Sequence, residues 1–128
     1  MNILHVGDAA GMGAVYSNIL NKLGHNSVVV TTESSQFFRH GEYYQNTKVV
    51  KNDKDLFKIV KKIGDKYDHI IYHSTLEVAQ KMDSQMLPSS YVFHGNDLRQ
   101  QPSRGIDVLE MDSMENVFVT TEDMIKYI

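Results

Sequence analysis

The chain has 128 residues, 41% hydrophobic and 23% charged, a composition that fits one globular domain and excludes disordered, collagenous and linker classes. Thirteen Lys and Arg against sixteen Asp and Glu give a formal charge of −3, which argues against electrostatic capture of nucleic acid. Cysteine is absent, so disulfides, thiolate nucleophiles, cysteine-held zinc and iron–sulfur clusters are all excluded.

The longest apolar runs, such as Val28–Val30 and Ile70–Tyr72, fall far short of the roughly 20 residues that cross a bilayer. The N-terminus runs into a strand-like segment without a basic leader, so no secretory signal is expected. A cytoplasmic location is the expectation. The scattered methionines read as adaptable core filler.

Asn2–Gly7 is a short apolar run ending at a glycine and an aspartate, the pattern of a buried parallel strand. After the turn Asp8–Gly13, Val15, Ile19, Leu20 and Leu23 share one helical stripe, and Gly24 supplies the left-handed residue that ends a helix. Ser27–Thr32 is β-branched and completes a βαβ unit. Thr47–Val50 predicts a third strand, Asn52 an N-cap, and Leu56, Val60 and Ile63 the inward stripe of the next helix. Asp68–Tyr72 predicts a fourth strand. Ser74-Thr75-Leu76-Glu77 has capping-box spacing before a helix carrying Leu76, Val78, Ala79 and Met82. Ser90–Phe93 and Asn116–Val119 predict strands five and six, and Thr120–Asp123 a cap for a last helix. Glu33–Asn46 and Gln100–Glu115 show no clear period. Short strands alternating with helical segments predict an α/β fold, a parallel sheet with helices on both faces and right-handed crossovers.

Ligands of such sheets bind beyond the carboxyl ends of the strands, which collects Gly7, Asp8, Gly11, Gly13, Thr31 to Glu33, His73, Ser74, His94 to Arg99 and Thr120 to Glu122 on one rim. Gly11-Met12-Gly13 has two readings: a loop whose amides meet a phosphate at a helix N-terminus, or a tight strand-to-helix turn. The dinucleotide fingerprint fails, because Tyr16 stands at the third glycine's place, and no P-loop is present. A phospho-acceptor role for Asp8 lacks the aspartate after the third strand, where Val50-Lys51-Asn52 stands.

The sharpest local feature is Phe93–Arg99, in which His94, Asp97 and Arg99 supply a titratable ring, an orienting carboxylate and a phosphate-seeking fork. The alternative is structural, with His94 closing the sheet, Asp97 capping a helix and Arg99 in a surface ion pair. His73, at the end of the fourth strand, is the next candidate. His69 and His73 would stand about 13 Å apart in a strand, poor geometry for one metal ion. His5 reads as a satisfied core group and His25 as a partner of the last helical carbonyls. Lys54, Lys58, Lys61, Lys62 and Lys66 read as a solvated helix face, with peripheral contact to anionic lipid at the inner membrane face as the second reading.

Taken in order, Ile3-Leu4-His5-Val6 with its glycine loop, Leu23-Gly24-His25 before Val28-Val29-Val30, Tyr91 to Arg99, and Val117 to Met124 resemble the N-terminal domain of a GT-B glycosyltransferase of the retaining family-4 type. The resemblance spans nearly the whole chain. It departs from the family where Met12 splits the usual glycine pair, where Ala14 replaces an acidic residue, and in a first helix about one turn short. The resemblance implies a Rossmann-like domain in which Gly11 and Gly13 face the donor diphosphate and His94 faces the reacting sugar. It also implies that Thr121 and Glu122 line the same cleft. From their places on the rim, His73, Asp97 and Arg99 are expected to border the acceptor or line the cleft.

On this reading the substrates are a nucleoside diphosphate sugar and a hydroxyl acceptor. No metal or other cofactor is expected, and a second, nucleotide-holding domain is expected outside these residues. A stand-alone module binding a phosphorylated or sugar ligand and a non-catalytic scaffold are the alternatives. Replacing His94 by alanine is expected to leave the fold nearly intact.

Overall fold

The computed structural model describes residues 1–8, 11–33, 46–94 and 101–119, and six strands and four helices follow one another along them. The strands are β1 (Asn2–Val6), β2 (Asn26–Thr32), β3 (Thr47–Val50), β4 (His69–His73), β5 (Ser89–Phe93) and β6 (Met114–Val119). The helices are α1 (Met12–Lys22), α2 (Asp53–Ile63), α3 (Leu76–Met82) and α4 (Ser103–Leu109). All neighbouring strands pair in parallel, in the order β3-β2-β1-β4-β5-β6. The winding reverses between β1 and β4, the switch point where ligands of doubly wound sheets bind. This is a Rossmann-like α/β domain.

Alternation along the strands gives the two faces different chemistry. Leu4, Val6, Val30, Ile70, Tyr72, Tyr91 and Phe93 pack against Leu56 and Val60 of α2, Val78, Ala79 and Met82 of α3, and Val108 of α4. That side is the apolar core. The opposite face, under α1, carries Ser27, His5, His69, His73, Ser90 and His94, with Val29, Ile71 and Val92 between them.

Several local signals act as the sequence predicts. Asn52 caps α2, its Oδ1 accepting the Asp55 N–H at 2.9 Å. Gly24 (φ +94°) ends α1 in a Schellman turn, with Gly24 N–H donating to Asn21 O and His25 N–H to Leu20 O. His25 thus reaches the helix end through its backbone, while its ring lies 3.3 Å from the Met1 amino group.

Other expectations need correction. The stripe Val15, Ile19, Leu20 and Leu23 does not face the sheet: Ile19 is 48% and Leu23 70% exposed. Gly13, Ala14 and Ser17 are the buried positions of α1, because small residues bring the helix close enough for Ser17 Oγ to donate to Ser27 O at 3.0 Å. The capping box at Ser74 does not form either. Ser74 Oγ instead accepts the His94 N–H at 3.0 Å, and Thr75 Oγ1 donates to Val6 O. Helix α4 arises where no period is visible, since it has only seven residues and buries only Gly105 and Val108. The predicted helix after Thr120 lies outside the described residues.

Candidate functional site

Register brings the polar residues of the α1 face into one line. Ser27 pairs with Ile3, His5 with Ile71, and His73 with Val92. Each step from Ser27 to His5 to His73 to His94 therefore crosses one strand and climbs two residues toward the carboxyl edge, a diagonal that rings can span. Ser27 Oγ lies 2.7 Å from His5 Nε2, His5 Nδ1 2.9 Å from His73 Nε2, and His73 Nδ1 2.9 Å from His94 Nε2. The rings stack, with centroids 5.2 Å apart for His5 and His73 and 5.1 Å for His73 and His94. Tyr16 of α1 leans on the outer two, at 5.5 Å from His73 and 5.9 Å from His94.

His5 and His73 are buried, whereas His94 is half-buried at the carboxyl edge. Burial lowers the His5 pKa to about 4. Burial, reinforced by the neighbouring His5 and His94, holds His73 well below the usual histidine range. Both inner rings are neutral at pH 7. Because His73 uses one ring nitrogen toward His5 and the other toward His94, the three rings form a line and do not converge on a point. Among the described residues no group of three or more His, Cys, Asp or Glu side chains could hold a metal ion.

His94 is therefore more deeply tied into the fold than its strand-end position predicts. Removing its ring strips the buried His73 Nδ1 of a partner, at a cost of about 1–3 kcal/mol, which corrects the expectation of a nearly unchanged fold. Ser74 helps hold it, turning its hydroxyl toward the His94 backbone from a left-handed conformation with φ 51°.

The loop after β1 is built largely for its own closure. Gly11 takes φ +79° at the start of α1, a conformation that suits glycine. At Gly13 a Cβ would stand 2.5 Å from Gly7 O, so the missing side chain makes room for the protein's own backbone. The buried Asp8 accepts the Ala14 N–H through Oδ1 at 2.9 Å, and its Oδ2 has no hydrogen-bond partner among the described residues. A carboxylate thus already occupies the first-turn amide at Ala14, while Gly11 is half-buried.

Of the sequence candidates, His73 and His94 come together with Tyr16, on the helix that begins beside Gly11. Asp97, Arg99, Thr121 and Glu122 lie outside the described residues. His69 bonds Ser90 Oγ at 2.7 Å, away from the His73 line. Lys54, Lys58, Lys61, Lys62 and Lys66 are exposed, as a solvated face requires. His5 is the satisfied core group its place in the strand predicts; what sequence reasoning missed is that it joins Ser27 and Tyr16 in the line. The one signal for them was a polar ring inside an otherwise apolar strand, but its partners depend on register between strands.

Grooves lie on both faces of the sheet among the described residues, and one of them touches the line. A polar one of about 410 Å³ lies between α3 and α4, lined by Ser74, Glu77, Gln101, Arg104 and Asp107 among others. An apolar one of about 430 Å³ runs under α1 past His5, Tyr16, Ile71, Val92 and Phe118. No helix among the described residues is long and apolar enough to cross a membrane.

No family model matches this chain, and no curated protein matches it.

Proposed function

We propose that this chain forms the acceptor-side wall of a retaining glycosyltransferase of the GT-B kind, moving a sugar from a nucleoside diphosphate to a hydroxyl acceptor. The observation that carries the reading is His94: a half-buried imidazole at the carboxyl edge of the sheet, braced by Tyr16 and by His73, which ends β4 at the reversal of strand order one strand away. A group so placed can orient or polarise a reacting oxygen. Gly11 is the loop residue assigned to the donor diphosphate, with Gly13 shaping the loop from within. Thr121 and Glu122 keep the cleft-lining role that the resemblance implies, and Asp97 and Arg99 border the acceptor or line the cleft, as their places on the rim suggest. The nucleotide is held by a second domain outside these residues.

Transfer needs both walls in register, since stabilising the leaving diphosphate and positioning the acceptor are divided between them. The 128-residue chain incubated with UDP-glucose or GDP-mannose and simple glycoside acceptors is therefore expected to show no appreciable turnover. The product of the complete reading frame is expected to transfer. Turnover by this chain alone at or above about 1 per second overturns the division of labour.

The polar groove favours a second reading, a binding module for a sugar or phosphorylated ligand, because Arg104 offers donors beside the acceptors Glu77 and Asp107. A reading frame that ends without a second βα-rich half, together with calorimetric binding of glucose 6-phosphate abolished by Arg104→Ala, selects that reading.

A further inference from the structure

We propose that Ser27, His5 and His73 are positioning residues that fix His94 in the tautomer carrying its proton on Nδ1, so that His94 serves its ligand as a hydrogen-bond donor and not as a base. The direction of the line follows from its buried end. Ser27 is 1% exposed, and His5 Nε2 is the only hydrogen-bond partner of its hydroxyl among the described residues. The other polar contacts of Ser27, from Ser17 and Asn21, go to its backbone O and N–H.

A buried hydroxyl proton without an acceptor is costly, so Ser27 Oγ donates to His5 Nε2. His5 must then carry its own proton on Nδ1, and donates it to His73 Nε2. His73 in turn carries its proton on Nδ1 and donates to His94 Nε2. A neutral imidazole has one donor and one acceptor nitrogen, so the Nε2 lone pair of His94 is used and its proton sits on Nδ1. Reversing the line would require Ser27 to accept from His5 and leave its hydroxyl proton unpaired. It is the buried serine, at the far end of the line from the sheet edge, that sets the polarity.

The chemical consequence is specific. Taking up a proton at His94 requires either displacing the hydrogen bond from His73 or reversing every bond back to Ser27, where no second acceptor waits among the described residues. A ligand oxygen at His94 Nδ1 is therefore met by a donor, and taking a proton from it carries the cost of breaking or reversing the line. Only the identity of that oxygen, a sugar or leaving-group oxygen, rests on the transferase reading. The tautomer does not.

Long-range nitrogen–proton correlation NMR on the chain with ring-labelled histidine, at pH 7.5, tests this directly. His5, His73 and His94 are each expected as the Nδ1–H tautomer, with through-hydrogen-bond coupling from His5 Nδ1 to His73 Nε2 and from His73 Nδ1 to His94 Nε2. An unpaired buried hydroxyl corresponds to a tautomer preference of about five- to 150-fold, and Ser27→Ala is expected to abolish that preference, whereas Ser27→Thr retains it. His94 as the Nε2–H tautomer in the wild-type spectrum overturns the proposal whether or not the variants fold, as does an unchanged preference in folded Ser27→Ala. The predicted tautomer in a complete protein without transfer activity sinks only the transferase reading, and the wrong tautomer in an active enzyme sinks only this one.

Discussion

Gly7→Ala is expected to destabilise the domain by about 2–5 kcal/mol, from about 1–2 for a left-handed non-glycine backbone and a further 1–3 for overpacking. Gly7 has φ +89°, and a Cβ there would stand 2.6 Å from His73 O and 2.5 Å from Thr75 Cγ2. The His73 carbonyl is backbone and cannot rotate away. Gly24 supplies the control, since it has a similar φ of +94° and a Cβ there would meet nothing within 4 Å among the described residues. Urea unfolding of the two variants separates the terms: Gly24→Ala carries only the conformational cost, and Gly7→Ala exceeds it. Equal losses would mean that β1 and β4 are not in close contact at their carboxyl ends.

Acid is expected to destabilise this protein through its buried histidines. Burial lowers His5 from 6.5 to about 4 and moves His73 in the same direction. Below pH 6.5 the unfolded chain therefore binds protons that the native state refuses, so stability falls as pH drops through the interval from 6.5 to about 4. The His5 share approaches about 3 kcal/mol at the bottom of that interval and is about 2 kcal/mol at pH 5, with His73 adding to it. Urea midpoints at pH 7.5 and pH 5 are the measurement. A loss of several kcal/mol is expected. Equal midpoints would show that the inner rings are solvated or charged in the native state, and the line from Ser27 to His94 would not exist as described.

Local patterns made the secondary structure legible. The β-branched run at Ser27–Thr32, the Asn52 cap and the Gly24 stop each act within a few residues, and all appear where the sequence places them. What escaped was whatever depends on a partner distant in the chain. Ser74 and Glu77 have the spacing of a capping box, but the Ser74 hydroxyl is drawn to the His94 amide twenty residues away. The stripe on α1 suggests an apolar face toward the sheet, yet Ser17 and Asn21 are taken up by the Ser27 backbone.

The candidate site divides in the same manner. His73 and His94 stand at strand ends, where a switch-point argument finds them without knowing what they touch. His5 and Ser27 join them only because four strands align in a particular register. Gly13 shows the converse: its spacing suits a phosphate loop, while its lack of a side chain answers the Gly7 carbonyl.

The place of His94 at the reacting centre is decided by the initial rate of sugar transfer from UDP-glucose and GDP-mannose by the product of the complete reading frame. Wild type, His94→Ala and Leu4→Ala are compared, with each rate normalised to the folded fraction. Leu4, fully buried in β1, should cost about 2–5 kcal/mol of stability and leave the normalised rate unchanged. His94→Ala should lower the normalised rate on the order of 100-fold. A His94→Ala enzyme that transfers at the wild-type rate would make His94 a structural residue and contradict the proposed function.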